Sequence, residues 1–107
     1  MAATLFHNVT GSSGVDVELL APGDGVNNIQ SITITNTHES SDAIVSLKLY
    51  SDTTAKTFVI LGKTSLPNGA TLLLDNASHL NFDNSNSGFG LYANVASGDT
   101  VDILINT

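Results

Sequence analysis

Hydrophobic and polar residues alternate with a period of two along almost the whole chain. The clearest stretches are 31–35, 44–50 and 101–106, where Val, Ile or Leu occupies every second position. Alternation of this kind is typical of β-strands with one buried face, and the β-branched residues that favour strands recur throughout. No window of eleven or more residues shows an apolar stripe at helical spacing. The pattern predicts about nine short strands, at 4–9, 15–20, 31–35, 44–50, 58–61, 71–75, 80–82, 89–95 and 101–106.

Residues that favour turns separate these strands. Pro22 fixes φ ahead of Gly23, and Asn68-Gly69 is the dipeptide that most favours a tight turn. Short strands joined by turns at this spacing indicate an all-β protein, an antiparallel β-sandwich of about 8–9 strands that is immunoglobulin-like or jelly-roll-like. The chain is expected to form a single domain over residues 1–107, with 1–14 as an alternative N-terminal arm because Gly and Ser fill positions 11–14.

One set of alternate apolar residues is predicted to form the core: Ile32, Ile34, Val45, Leu47, Leu49, Leu91, Ile103 and Ile105. Seven other apolar residues fall on the opposite parity of their strands: Phe6, Leu20, Ile44, Tyr50, Leu73, Tyr92 and Leu104. A sandwich buries only one face of each sheet, so these seven require a second cover. Loops and bulges, an N-terminal arm or another protein chain would each provide one. On the interface reading, the candidate residues are Ile44, Tyr50, Tyr92 and Leu104.

Charge excludes several classes of partner. Ten acidic residues oppose only Lys48, Lys56 and Lys63, and the formal net charge is −7. Binding to nucleic acid or to an anionic membrane requires clustered Lys and Arg, so neither partner is predicted. Ser, Thr and Asn supply 35 of the 107 residues, and there is no cysteine. The first residues lack the pattern of a signal peptide, and the chain is expected to be made in the cytoplasm.

Two apparent metal motifs fail on spacing. The stretch 83–88 resembles the start of an EF-hand loop, but its ninth and twelfth positions are Leu91 and Asn94, where such a loop needs a polar group and a bidentate Glu. The three histidines lie 31 and 41 residues apart, without the short-range pair typical of zinc sites: His7, His38 and His79. No metal and no cofactor are predicted.

Paired carboxylates offer the only candidates for acid–base chemistry. Asp16 and Glu18 share one strand face, and Asp99 and Asp102 flank the last strand. Two carboxylates about 5 to 9 Å apart can hydrolyse glycosides, but carboxylates on a strand face more often point to water and keep sheet edges unpaired. The sequence therefore predicts a protein that is not an enzyme.

Two regions carry a resemblance to a known class of proteins. Residues 29–50 form a strand, an Asn, a polar loop and a second strand, and residues 89–106 form a late hairpin. This layout, which immunoglobulin-like sandwiches share, resembles the small β-sandwich structural proteins of tailed bacteriophages, the capsid decoration or cement proteins. The similarity is one of style over most of the chain, with no catalytic or ligand motif. The resemblance implies an oligomer, often a trimer, on the outer shell that clamps neighbouring capsid subunits.

The leading hypothesis is therefore a non-enzymatic virion structural protein, a capsid decoration protein on the outer capsid surface. Its expected partners are the major capsid protein and copies of itself, in a homotrimer. One alternative is a module of a phage tail, baseplate or fibre, and another is a β-sandwich binding protein unrelated to phage. Copy number distinguishes a capsid decoration protein from a tail module, because a decorated shell carries many copies and a tail carries few.

Overall fold

The fold consists of two antiparallel sheets. The computed structural model describes residues 4–11, 16–26, 29–37, 41–51, 53, 55–75, 80, 82–96 and 98–106, without the side chains of residues 4–6. In that part of the chain the strands are β1 Thr4–Thr10, β2 Asp16–Leu20, β3 Ser31–Asn36, β4 Ala43–Ser51, β5 Lys56–Leu66, β6 Thr71–Leu74, β7 Gly90–Val95 and β8 Thr100–Asn106. None of the described residues belongs to a helix long and apolar enough to cross a membrane.

The order of the strands defines the sandwich topology. One sheet, sheet I, has the order β1-β8-β3-β6, and the other, sheet II, has the order β2-β7-β4-β5. All six strand pairs are antiparallel. Because the chain passes between the sheets after most strands, both sheets mix early and late strands in the two-Greek-key arrangement of a jelly roll. The all-β sandwich prediction is confirmed, and the topology is the jelly-roll one of its two forms.

The core lies between the sheets, where the alternating residues point. Seven of the eight predicted core residues are at most 1% exposed, and Leu49 is partly buried against the same cluster. The register places Ile34 opposite Ile103 in sheet I and Leu47 opposite Ala93 in sheet II, and all four residues are fully buried. The period-two pattern is thus the direct cause of the core, since every second side chain enters it.

The structure differs from the sequence prediction where strands are irregular. Neither Leu80 nor Phe82 lies in a strand, so the predicted strand at 80–82 is wrong. β5 begins two residues before the predicted 58–61 segment and extends five residues beyond it. Two shifts of register in its pairing with β4 let it continue through Gly62. A bulge after Glu18 turns Leu20 inward, and it is only 2% exposed. Residues 4–10, half of the alternative arm 1–14, form β1 and pair with β8.

Two buried asparagines fix the loops. The Asn36 Nδ2 group donates hydrogen bonds to the carbonyl oxygens of Ser41 and Leu66, both at 2.9 Å. Asn84 is fully buried, and its Nδ2 group donates to the carbonyl oxygens of Ala21 and Phe89, at 3.0 and 2.8 Å. Each side chain therefore satisfies backbone carbonyls that the sheets leave unpaired, as buried polar groups require.

Candidate interaction surface

The four predicted interface residues lie on two opposite surfaces. Ile44, Tyr50 and Tyr92 alternate with buried residues of β4 and β7, which places them on the outer face of sheet II. Leu104 lies on the outer face of sheet I, where it pairs with Thr33 of β3. The structure therefore does not bring Leu104 next to the other three. That these residues contact a partner stays a prediction.

The two tyrosines form an aromatic pair on sheet II. Their ring centroids are 6.4 Å apart at an interplanar angle of 74°, an edge-to-face arrangement. The Tyr92 hydroxyl donates a hydrogen bond of 3.1 Å to the Glu18 carboxylate of β2. Ile44 lies six residues before Tyr50 on β4 and is 45% exposed. The outer face of sheet II thus carries an aromatic pair at one end and an isolated aliphatic side chain at the other.

An ion pair crosses the same face beside the tyrosines. Lys48 Nζ lies 2.6 Å from Asp16 Oδ2, and Asn94 Nδ2 donates a hydrogen bond of 2.9 Å to Asp16 Oδ1. Partial burial raises the pKa of Asp16, but the hydrogen bonds from Lys48 and Asn94 and the charge of Lys48 outweigh it and lower the pKa below its usual value. Asp16 is therefore held ionised across the strands β2, β7 and β4.

The outer face of sheet I has an apolar row of its own. In the register of the sheet, Phe6, Leu104, Thr33 and Leu73 stand side by side across all four strands. Leu73 is 55% exposed. The next row in one direction contains Asn8, Asp102, Thr35 and Thr71, which are polar. Leu104 and Leu73 therefore occupy one row of the outer face, and Phe6 is the register partner of Leu104 on β1.

Two of the four exposed large apolar residues in the described part of the chain lie on the edge strand β5. Phe58 and Val59 are 52% and 66% exposed, and the Phe58 ring makes an edge-to-face contact with Phe89 at a centroid distance of 5.7 Å. Beside them an open groove of 480 Å³ runs between the free edges of the two sheets. Its lining includes Phe58, Val59 and Ile60 of β5, Leu73 and Leu74 of β6, and Leu80. This edge groove is a second candidate contact surface.

Phe58 and Val59 are not among the interface residues predicted from the sequence. The segment 58–61 is apolar at every position, which is also typical of a strand buried on both faces. Its position at the edge of sheet II decides between the two interpretations, and only the strand order supplies that position. The lysines at 56 and 63, on either side of the apolar run, were the available signal, since lysine is common on edge strands.

Sheet II is electrically polarised from one edge to the other. The edge strand β2 contains Asp16 and Glu18 and no base, and the opposite edge strand β5 contains Lys56 and Lys63 and no acid. Lys48, on β4 beside β5, is the third lysine of the chain. Among the described residues Lys56 and Lys63 form no ion pair. A chain with net charge −7 thus concentrates all its lysines at one side of one sheet.

The loop at 83–88 is closed by its own hydrogen bonds. Ser85 N donates to Asp83 Oδ1 at 3.0 Å, and Phe89 N donates to the Asp83 carbonyl oxygen at 2.6 Å. The hydrogen bonds from Ser85 lower the pKa of Asp83. A Cβ atom at Gly88 would lie 2.2 Å from the Asp83 carbonyl oxygen, so the turn requires glycine there. Asp83 and Gly88 therefore have structural roles in this loop.

The other candidate metal and acid–base residues are either far apart in the sequence or hydrogen-bonded within the sandwich. No group of three His, Cys, Asp or Glu side chains in the described ranges is placed to hold a metal ion. His7 is half-buried on β1, while His38 and His79 lie outside the described residues. Asp99 Oδ2 accepts a hydrogen bond of 3.2 Å from Ile44 N, and Asp102 accepts one from Asn8. These carboxylates join strands and loops of the sandwich.

Comparisons with known proteins add little. No family profile matches the chain, and no curated protein matches it. Among solved structures, the crystal structure of Co(II) HppE in complex with substrate aligns with a TM-score of 0.41 and 12% sequence identity. The alignment covers 99% of this chain and 44% of that chain. A similarity at this level assigns neither a metal site nor an activity to the present chain.

Proposed function

We propose that this protein is a non-enzymatic structural component of a virion, a capsid decoration protein that binds the outer shell and stabilises contacts between major capsid protein subunits. The proposal includes association with copies of itself. The observation that supports it most is the amount of apolar surface on a small sandwich: Ile44, Phe58, Val59 and Leu73 are all 45% exposed or more. Surface of this kind is typical of proteins that contact other proteins.

The fold and the ionisable groups agree with a mechanical role. Jelly rolls occur in viral capsid domains, although also in lectins and cupins, so this support is by analogy of fold alone. The four candidate acid–base carboxylates are hydrogen-bonded to other parts of the sandwich: Asp16, Glu18, Asp99 and Asp102. Such contacts stiffen the domain, and a stiff domain resists displacement of the subunits it connects.

The available surface is sufficient for contacts with several subunits. An interface of standard size takes about 800 Å² from each partner, which is about a seventh of the 5789 Å² surface of this chain. Two outer faces and the edge groove can therefore be occupied at the same time. On a symmetric shell, modest contacts that are linked within one oligomer reinforce one another through their effective concentration.

The decisive experiment is a measurement of copy number. Particles of the phage whose genome encodes this chain would be purified, and their proteins separated on a stained gel. We expect a band near 11.1 kDa with an abundance comparable to that of the major capsid protein. A faint band, in the proportion of tail proteins, would overturn the decoration role in favour of a tail, baseplate or fibre module. Absence from particles would overturn both virion roles.

A further inference from the structure

We propose that copies of this chain associate head to tail through sheet II, with the basic edge strand β5 of one copy pairing with the acidic edge strand β2 of the next. The inference rests on the self-association included in the proposed function and names the two surfaces that make it. Four observations carry it: the charge at the two edges, the direction of the two strands, the exposed apolar side chains of β5, and the position of its bulges.

Charge complementarity favours this pair of edges. Lys56 and Lys63 are exposed and lack an ion-pair partner among the described residues, and Glu18 is exposed at the opposite edge. Two copies that each carry −7 repel one another on most of their surfaces. Contact of β5 with β2 instead places a basic edge beside an acidic one. Lys56 is opposite Ser51 on the inward-facing parity, and Glu18 is opposite Tyr92 on the outer face. The attraction therefore acts between the two edges and not through one direct ion pair. A twofold contact of β5 with β5 would place four lysines along one seam and is disfavoured by the same argument.

Strand direction is compatible with this contact. Neighbouring strands of sheet II are antiparallel throughout, so β2 and β5, at the two ends of a four-stranded sheet, run in opposite directions. If a second copy is related by rotation about an axis along the strands, its β2 runs antiparallel to β5 of the first. The antiparallel hydrogen-bond pattern then continues from one copy into the next. Repetition of a heterologous contact closes a ring when the rotation allows it.

The apolar and irregular parts of β5 restrict where pairing occurs. The regular segment is Lys56–Val59, since the two register shifts against β4 lie beyond Val59. Its length is close to that of the five-residue β2. Phe58 and Val59, the most exposed large apolar residues of the strand, lie within it. Pairing there would cover one flank of each side chain, Phe58 on one face of the sheet and Val59 on the other. The bulges keep the remainder of the edge from forming a longer, less specific contact.

The test is a charge exchange followed by light scattering. The mass of the purified wild-type protein would be measured over a dilution series in low and in high salt, beside a Lys56→Glu/Lys63→Glu variant and a Glu18→Lys variant. Asp42→Lys serves as a matched control for Glu18→Lys, because it makes the same charge change in an exposed loop. A fourth variant combines Glu18→Lys with both lysine replacements and so reverses the polarity of the sheet. Thermal unfolding of each variant checks that the domain is intact.

We expect wild type and the Asp42→Lys control to form multiples of 11.1 kDa, more readily in low salt because screening weakens charge contacts. Both edge variants should raise the dissociation constant at least tenfold, and the combined variant should recover part of this loss. Wild-type protein that stays monomeric would overturn the inference and show that the lysines and bulges keep β5 unpaired. Oligomers insensitive to the edge variants would overturn it in favour of another surface.

The two proposals can fail separately. If the protein is abundant in particles but its association ignores the edge variants, the decoration role stands and the β5–β2 contact is wrong. If the single-edge variants abolish association and the combined variant restores it, while the protein is absent from particles, the β5–β2 contact stands and the virion role is wrong.

Discussion

At the scale of single residues, buried amide side chains organise the loops of this sandwich. The Asn84 side chain receives a hydrogen bond from Val26 N at 3.0 Å while donating to the carbonyl oxygens of Ala21 and Phe89. Its backbone carbonyl oxygen also accepts a hydrogen bond from Gly23 N at 2.9 Å. One residue therefore joins the loop after β2 to the loop before β7. A network of this kind is stabilising only while every member keeps its partner.

Replacement of Asn84 by Ala should consequently be costly. Val26 N and the Phe89 carbonyl oxygen lose the hydrogen bonds from the Asn84 side chain. The Ala21 carbonyl oxygen also loses one and keeps the one from Asp24 N. We expect the free energy of unfolding to fall by about 2–3 kcal/mol, as measured in urea. Ser87→Ala is the control, because Ser87 is exposed in the same loop, and it should change stability by less than about 0.5 kcal/mol. Equal effects of the two substitutions would show that the Asn84 hydrogen bonds contribute no net stability.

The ion pair of Asp16 leads to a prediction about pH. Because the pKa of this carboxyl is lowered in the folded protein, its stabilising contribution is fully present above the pKa of the unfolded chain and disappears as the pH falls through the folded pKa. Wild type should unfold at a higher temperature than Asp16→Asn at pH 7, and the difference should vanish in strong acid. The difference is expected to be at most about 1 kcal/mol, since the pair is partly exposed. A difference that persists in acid would rule out an electrostatic origin.

At the scale of secondary-structure elements, the regular strands follow from the sequence and the irregular ones do not. Ile32, Ile34, Ile103 and Ile105 were predicted correctly as core because strict alternation admits only one inward face. Leu20 was assigned to the outer face because a single bulged residue reverses the parity after Glu18. Bulges depend on the partner strand, which a local pattern does not contain. For the same reason the exposed edge position of β5 could not be read from its apolar sequence.

Leu47 and Ile44 provide a direct test of the register of β4. Leu47 is fully buried and Ile44 is 45% exposed, three residues away on the same strand. We expect Leu47→Ala to lower the free energy of unfolding by about 2–5 kcal/mol through lost burial and the cavity that remains. Ile44→Ala should cost less than about 1 kcal/mol, since its side chain already contacts water. Denaturant unfolding of both variants gives the comparison, and the reverse order would mean that β4 faces the other way.

At the scale of the whole molecule, the sandwich offers three different surfaces. The outer face of sheet II carries the Tyr50–Tyr92 pair, that of sheet I carries the Leu104–Leu73 row, and the edge carries the groove beside Phe58. If the edges of sheet II bind neighbouring copies, the outer faces remain free for a shell. Of these two faces, sheet II has the better anchors, because tyrosine gives a large contact area with few torsions to freeze.

Joint replacement of Tyr50 and Tyr92 by Ser should therefore weaken particle binding at least tenfold, about 1.4 kcal/mol. Their edge-to-face contact adds about 0.5–1.5 kcal/mol to the fold, so the domain should remain folded, which thermal unfolding would check. Leu104→Ser is the matched variant on the opposite face. Binding would be measured by cosedimentation of each protein with particles that lack it. If only the Leu104→Ser variant fails to sediment with particles, the outer face of sheet I is the shell-binding face. Undiminished binding of both variants would exclude the tyrosine pair and Leu104 as shell contacts and would favour the edge groove, whose lining includes the three most exposed large apolar residues of the described chain.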